Sequence, residues 1–113
     1  MFTRGDKDDY QTVAPGVRMR TLCFGSNTLM SEFRLLCGHD LPRHSHAHEQ
    51  TGYLVSGHLA LTIGGETHDV VPGDSWCISG GVEHGAEVLR DAVAVEVFSP
   101  VRQDYLPQRA STA

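Results

Sequence analysis

Lysine is almost absent from this chain of 113 residues: Lys7 stands alone among nine basic residues, against 14 acidic ones and a formal net charge of −5. With no basic stripe, nucleic acid is excluded as an expected partner, because contact with a phosphate backbone needs clustered positive charge. The remaining basic residues are arginines, whose planar fork suits carboxylates. Cysteine is scarce as well. Cys23, Cys37 and Cys77 are odd in number, widely spaced and free of any C-x-x-C, which excludes a disulfide framework and predicts buried free thiols in a reducing compartment. Long apolar runs are also missing. Met1 to Tyr10 is charged and has no apolar h-region, and the run Ala92 to Val95 is far too short to span a bilayer. A cytoplasmic protein with no membrane partner is the expectation.

No segment keeps a 3.6-residue period over ten residues, and there are no internal repeats or low-complexity stretches. Short runs of alternating polarity, punctuated by glycine and proline, take their place. Val17 to Phe24 suits a strand, Gly25-Ser26-Asn27 a turn, and Thr28 to Cys37 a second strand. Tyr53, Val55, Leu59, Leu61 and Ile63 are spaced by two or four around a bend at Ser56-Gly57. Gly64-Gly65 reads as a two-residue hairpin turn and Pro72-Gly73 as another turn. Ser75 to Ser79, His84 to Leu89 and Val93 to Phe98 complete the series of short strands. Strands at this spacing predict an all-β antiparallel sandwich or barrel. Residues 1–113 are read as a single domain with its core from about residue 13 to 106, a polar N-terminal arm and a frayed tail from Pro107 to Ala113.

Several chemistries lack their motifs. There is no G-x-S-x-G elbow, phosphate-cradling glycine loop or dinucleotide fingerprint, and His48-Glu49-Gln50-Thr51-Gly52 begins like H-E-x-x-H but ends in glycine. What stands out instead is histidine at alternate positions 44, 46 and 48. Alternate residues of an extended chain share a face, so His44 and His46 can grip one ion together. Gln50 follows with an amide oxygen as a third donor, and His84 is the best candidate for a fourth. His39, His58 and His68 have no paired position and are read as solvated-face residues, while His48 is placed behind the ligands as a support.

Gly38-x5-His44-x-His46-x3-Gln50-x6-Gly57 resembles the first motif of the cupin family, with Gln50 where many members carry glutamate. Gly73-x5-Ser79-x-Gly81-x2-His84 resembles the second motif, with Ser79 in place of proline and Val88 in place of a common asparagine. The resemblance implies an antiparallel jelly-roll barrel of six to eight strands with one divalent transition metal (Zn, Ni, Fe, Mn or Cu) held inside by His44, His46, Gln50 and His84. Because all four donors are neutral, the charge of the ion is left to attract an anionic, oxygen-bearing ligand.

A narrower likeness spans most of the chain. His44 to Gln50, Ile63 to Glu66 and Val97 to Leu106 resemble the pectin degradation family of small cupins, which ketonise 4,5-unsaturated uronates. That family carries an acid, a phenylalanine and an arginine at relative positions 0, +2 and +6, which fall here on Glu96, Phe98 and Arg102, glutamate replacing the usual aspartate. The resemblance implies that Glu96 moves protons, Arg102 pins the uronate carboxylate and Phe98 walls the ring. Two other readings stand beside it: a metal- and ligand-binding module without turnover, and a dioxygenase of the quercetinase type. The expected partner is a small anionic sugar or other small carboxylate, and the expected assembly is a homodimer, since sheet edges need cover.

Overall fold

Eight antiparallel strands and one 3-10 turn make up the computed structural model, which describes residues 1–107. They are β1 (Gln11–Ala14), β2 (Val17–Phe24), β3 (Leu29–Leu35), β4 (Asp40–His44), β5 (Glu49–Ile63), β6 (Glu66–Val70), β7 (Ser75–Ile78) and β8 (His84–Ser99), followed by the turn Gln103–Tyr105. Part of the tail expected to fray, residues 108–113, lies outside the described residues. The main path runs β1-β2-β3-β8-β5-β6, with β4 also paired to β8 and β7 to β5. This is the jelly-roll expected from the sequence.

The two long strands organise the barrel. The last half of β8 pairs with β3 and with the first half of β5, and its first half pairs with β4 and with the last half of β5. Each long strand therefore has different partners along its two halves and ties all eight strands into one continuous curved sheet. The expected short strands at 84–89 and 93–98 are one strand of 16 residues, and the expected break at Ser56-Gly57 is a bend inside β5.

That bend changes the phase of the strand. Gln50, Gly52 and Leu54 face inward before it, and Leu59 and Leu61 face inward after it, so the inward set passes from even to odd numbers. Register shifts between Leu54 and Leu59 absorb the extra residue as a bulge. Gly57 permits it, with φ at 95° and with the position a Cβ would occupy lying 2.4 Å from the Asp91 carbonyl oxygen. Consequently Tyr53 and Val55 point outward and are exposed, while Leu59 and Leu61 enter the core.

The core gathers Val17, Leu35, Leu54, Leu59, Leu61 and Val88 with the small residues Ala86, Ala92 and Ala94. The N-terminal arm is not loose: buried Arg20 bonds Asp9 and the carbonyl of Arg4. The cysteines are free, as expected, but not buried, since Cys37 and Cys77 are exposed and Cys23 is half-buried. Cys77 sits at an outward-facing position of β7, opposite the solvated Thr51, while its neighbours Trp76 and Ile78 face the interior. Among the described residues, no helix is long and apolar enough to cross a membrane.

Candidate metal centre

His44 closes β4 and sits directly across from His84, the first residue of β8. Their rings approach to 4.3 Å between centroids, and the His46 ring, two residues on, lies 4.9 Å from that of His84. One ring nitrogen of each of the three histidines falls within 4.8 Å of the others. The tautomers follow from the backbone. Nδ1–H of His44 donates to the Pro42 carbonyl at 2.9 Å, that of His84 to the Val82 carbonyl at 2.9 Å, and that of His46 to the His48 carbonyl at 3.0 Å. A neutral imidazole that donates through Nδ1 offers a lone pair at Nε2. Burial lowers the pKa of His46 and His84 and so favours their neutral forms.

Gln50 completes the group from β5. Its side-chain Nε2 donates to a Glu96 carboxylate oxygen, which turns Oε1 toward His46 Nε2 at 3.0 Å. With His46 in this tautomer, two acceptors face each other across that gap, an arrangement that a cation between them would satisfy. His84 Nε2 is buried and has no hydrogen-bond partner among the described residues. An orphaned, inward-facing lone pair beside two more imidazoles fits a divalent transition ion.

Glu96 is reached along one row of the sheet: Trp76 on β7 pairs with Gly52 on β5, which pairs with Glu96 on β8. Gly52 is essential to that row, since a Cβ there would lie 2.2 Å from the indole. The clearance lets Trp76 lie across β5 and donate Nε1–H to Glu96 Oε1 at 3.3 Å. Burial pushes the Glu96 carboxyl up to about 8, against the pull of hydrogen bonds from Trp76 and Gln50 and the charge of Arg102.

His44, Gln50, His84, Glu96, Phe98 and Arg102 all line one cavity of about 300 Å³, whose other walls include Val17, Leu35, Leu59 and Leu61. Phe98 is fully buried with its ring 5.8 Å from His46. Arg102 also binds Asp104 through two hydrogen bonds. His58 and His68 pair on the outside with Asp69 and Glu66, in keeping with solvated positions. Sequence reasoning missed Trp76 and Tyr105, both on the cavity wall. A glycine inside a strand is a signal of close approach and marks the Trp76 row; nothing local marks Tyr105.

An antiparallel barrel with a cavity lined by His44, His84 and Gln50, and with the His46 ring against that of His84, defines a small-molecule site rather than a docking surface. The chain belongs to the cupin domain family, whose pattern matches residues 31–99. Among solved structures it is similar to KdgF from Halomonas sp., with 29% identity, a TM-score of 0.89 and coverage of 94% of this chain and 98% of that one. An RmlC-like cupin from Shewanella frigidimarina shares 25% identity over 93% of this chain and 95% of its own, with a TM-score of 0.88. A salicylate 1,2-dioxygenase from Pseudoaminobacter salicylatoxidans, solved with gentisate, shares the fold at 19% identity and TM-score 0.72 over 79% of this chain and 26% of that one. No curated protein matches the chain.

Proposed function

We propose that the protein is a metal-dependent cupin that converts 4,5-unsaturated uronates to their linear keto forms, with His44, His46, Gln50 and His84 holding one divalent transition ion. The observation that carries this reading is that a half-buried carboxyl, Glu96, and a guanidinium, Arg102, line the same cavity as His44, Gln50 and His84. The whole-chain likeness to KdgF supports it, together with the Glu96, Phe98 and Arg102 spacing.

Ring opening of an unsaturated uronate takes one proton from the anomeric hydroxyl, breaks the bond from C1 to the ring oxygen, and delivers one proton to C4. The ring oxygen leaves as an enolate, which collapses to the ketone when C4 is protonated. The substrate loses and regains one proton, so a single group can serve both halves and end as it began. Glu96 has the required ambivalence, since burial raises its carboxyl toward neutrality while Gln50 and Trp76 stabilise the anion. A bound ion would supply the positive charge that stabilises the enolate oxygen and favours the ionised form of Glu96. Arg102 binds the uronate carboxylate, and Phe98 excludes water from the ring's flank.

The decisive experiment has two arms. Protein purified without chelator is analysed for metal, then assayed on mixed unsaturated uronates by loss of their near-ultraviolet absorbance. A fully metallated protein that leaves every uronate untouched would overturn the reading. In that case the apolar walls of the cavity favour a binding module, and oxygen uptake tests the dioxygenase reading.

A further inference from the structure

The segment after β8 folds back onto the cavity, so that Arg102 and Tyr105 line it while Asp104 does not. The guanidinium carbon of Arg102 lies 3.9 Å from the centroid of the Tyr105 ring and 5.0 Å from that of Phe98. Stacking of this kind sets the height and tilt of a guanidinium, yet leaves it free to spin within its own plane. Two hydrogen bonds remove that freedom. Nε donates to Asp104 Oδ1 at 3.1 Å and Nη2 to Asp104 Oδ2 at 2.7 Å, so one edge of the fork is fully engaged. Among the described residues Nη1 makes no hydrogen bond. The Asp104 side chain is 59% exposed and that of Arg102 only 16%, so the carboxylate grips the guanidinium from the solvent side.

We propose that Asp104 is a positioning residue, which fixes the in-plane orientation of Arg102 so that its Nη1 edge is presented to the carboxylate of a ligand in the cavity. This rests on the reading of Arg102 as the uronate anchor. The hydrogen bonds from Arg102 hold Asp104 below the usual carboxylate range, so the pair stays ionised at neutral pH. Charge alone would argue the opposite role. An anion beside the anchor repels an anionic ligand, and removing it would tighten binding. The exposure of Asp104 screens that repulsion, while the loss of orientation is felt at full strength inside the cavity.

The test uses Asp104→Ala, Asp104→Glu and Arg102→Ala in the full, metal-loaded chain, each checked for metal content and circular dichroism. Galacturonate, which is saturated and cannot be ketonised, serves as the binding probe, read through the fluorescence of the single tryptophan, Trp76. Turnover of an unsaturated galacturonate gives KM and kcat. Asp104→Ala should weaken galacturonate binding and raise KM about 10-fold with kcat within about twofold. Asp104→Glu, which restores a two-oxygen acceptor, should recover most of that loss. Unchanged or tighter binding in Asp104→Ala, while Arg102→Ala binds weakly, would overturn the positioning role and leave the anchor standing. Unchanged binding in Arg102→Ala as well would overturn the anchor and the proposal with it.

Discussion

Gln50 and Glu96 act as one unit at the residue scale, because the amide gives its oxygen to the histidine cluster and its N–H to the carboxylate. Glutamate at position 50 would set two carboxylates against each other, and like charges at that separation cannot both ionise. Gln50→Glu should therefore retain metal but bind galacturonate more weakly than the parent, as isothermal titration of metal-loaded protein would show. Equal affinity in both forms would refute the value of a neutral donor set. If Glu96 carries the proton as proposed, Glu96→Gln keeps the shape and removes that group, so uronate turnover should fall about 10²–10⁴-fold with metal content unchanged. Normal ketonisation by that variant would move the protein to the binding-module class. The clustering of His44, His46, Gln50 and His84 was legible because a strand puts alternate residues on one face and the motif spacing brings in the fourth. Trp76 was not legible, because its approach to Glu96 depends on cross-strand register, which no short window of sequence contains.

At the scale of elements, alternation showed where strands run but not where they end. Ser56-Gly57 has the composition of a turn, yet both neighbours of the bend stay in the ladder with β8, so the chain bulges rather than reverses. The same local cue at Gly64-Gly65 does reverse the chain, with Gly64 at φ 58° and Ile63 paired to Glu66. The difference is tertiary: at Gly57 the backbone of Asp91 and Ala92 packs against the site where a side chain would be. Gly57→Ala combines a positive φ with that clash and should cost about 2–4 kcal/mol, measured by urea unfolding. Gly52→Ala tests a different joint. It should displace the indole, break its bond to Glu96 and shift the fluorescence of Trp76, so unchanged emission would refute the account of that row.

Across the whole molecule, the barrel carries a feature on its outside and an unmet demand on its inside. Outside, Met30 and Tyr53 are exposed beside Val95 and Val97 on adjoining strands, an apolar strip on which the expected homodimer would form, and sedimentation equilibrium would decide it. On the cavity side, one ring nitrogen from each of His44, His46 and His84 converges within 4.8 Å, and among the described residues the buried His84 Nε2 has no partner, at a cost of about 1–3 kcal/mol. An ion that binds the folded chain and not the unfolded one recovers that cost, and at a hundredfold excess over its Kd stabilises the fold by about 2.7 kcal/mol. In a chain of this size that corresponds to a rise in Tm of about 10–15 °C on loading with Zn²⁺ or Ni²⁺. The rise should vanish on chelation and be absent in His84→Ala. Protons compete for the same lone pairs, so the increment should shrink as pH falls through the imidazole range. Because burial lowers the proton affinity of His46 and His84, competition at those two rings should set in at a lower pH than it does for a free imidazole. An equal rise in His84→Ala would place the ion elsewhere on the surface, and the inward-facing lone pairs would then have no ligand to explain them.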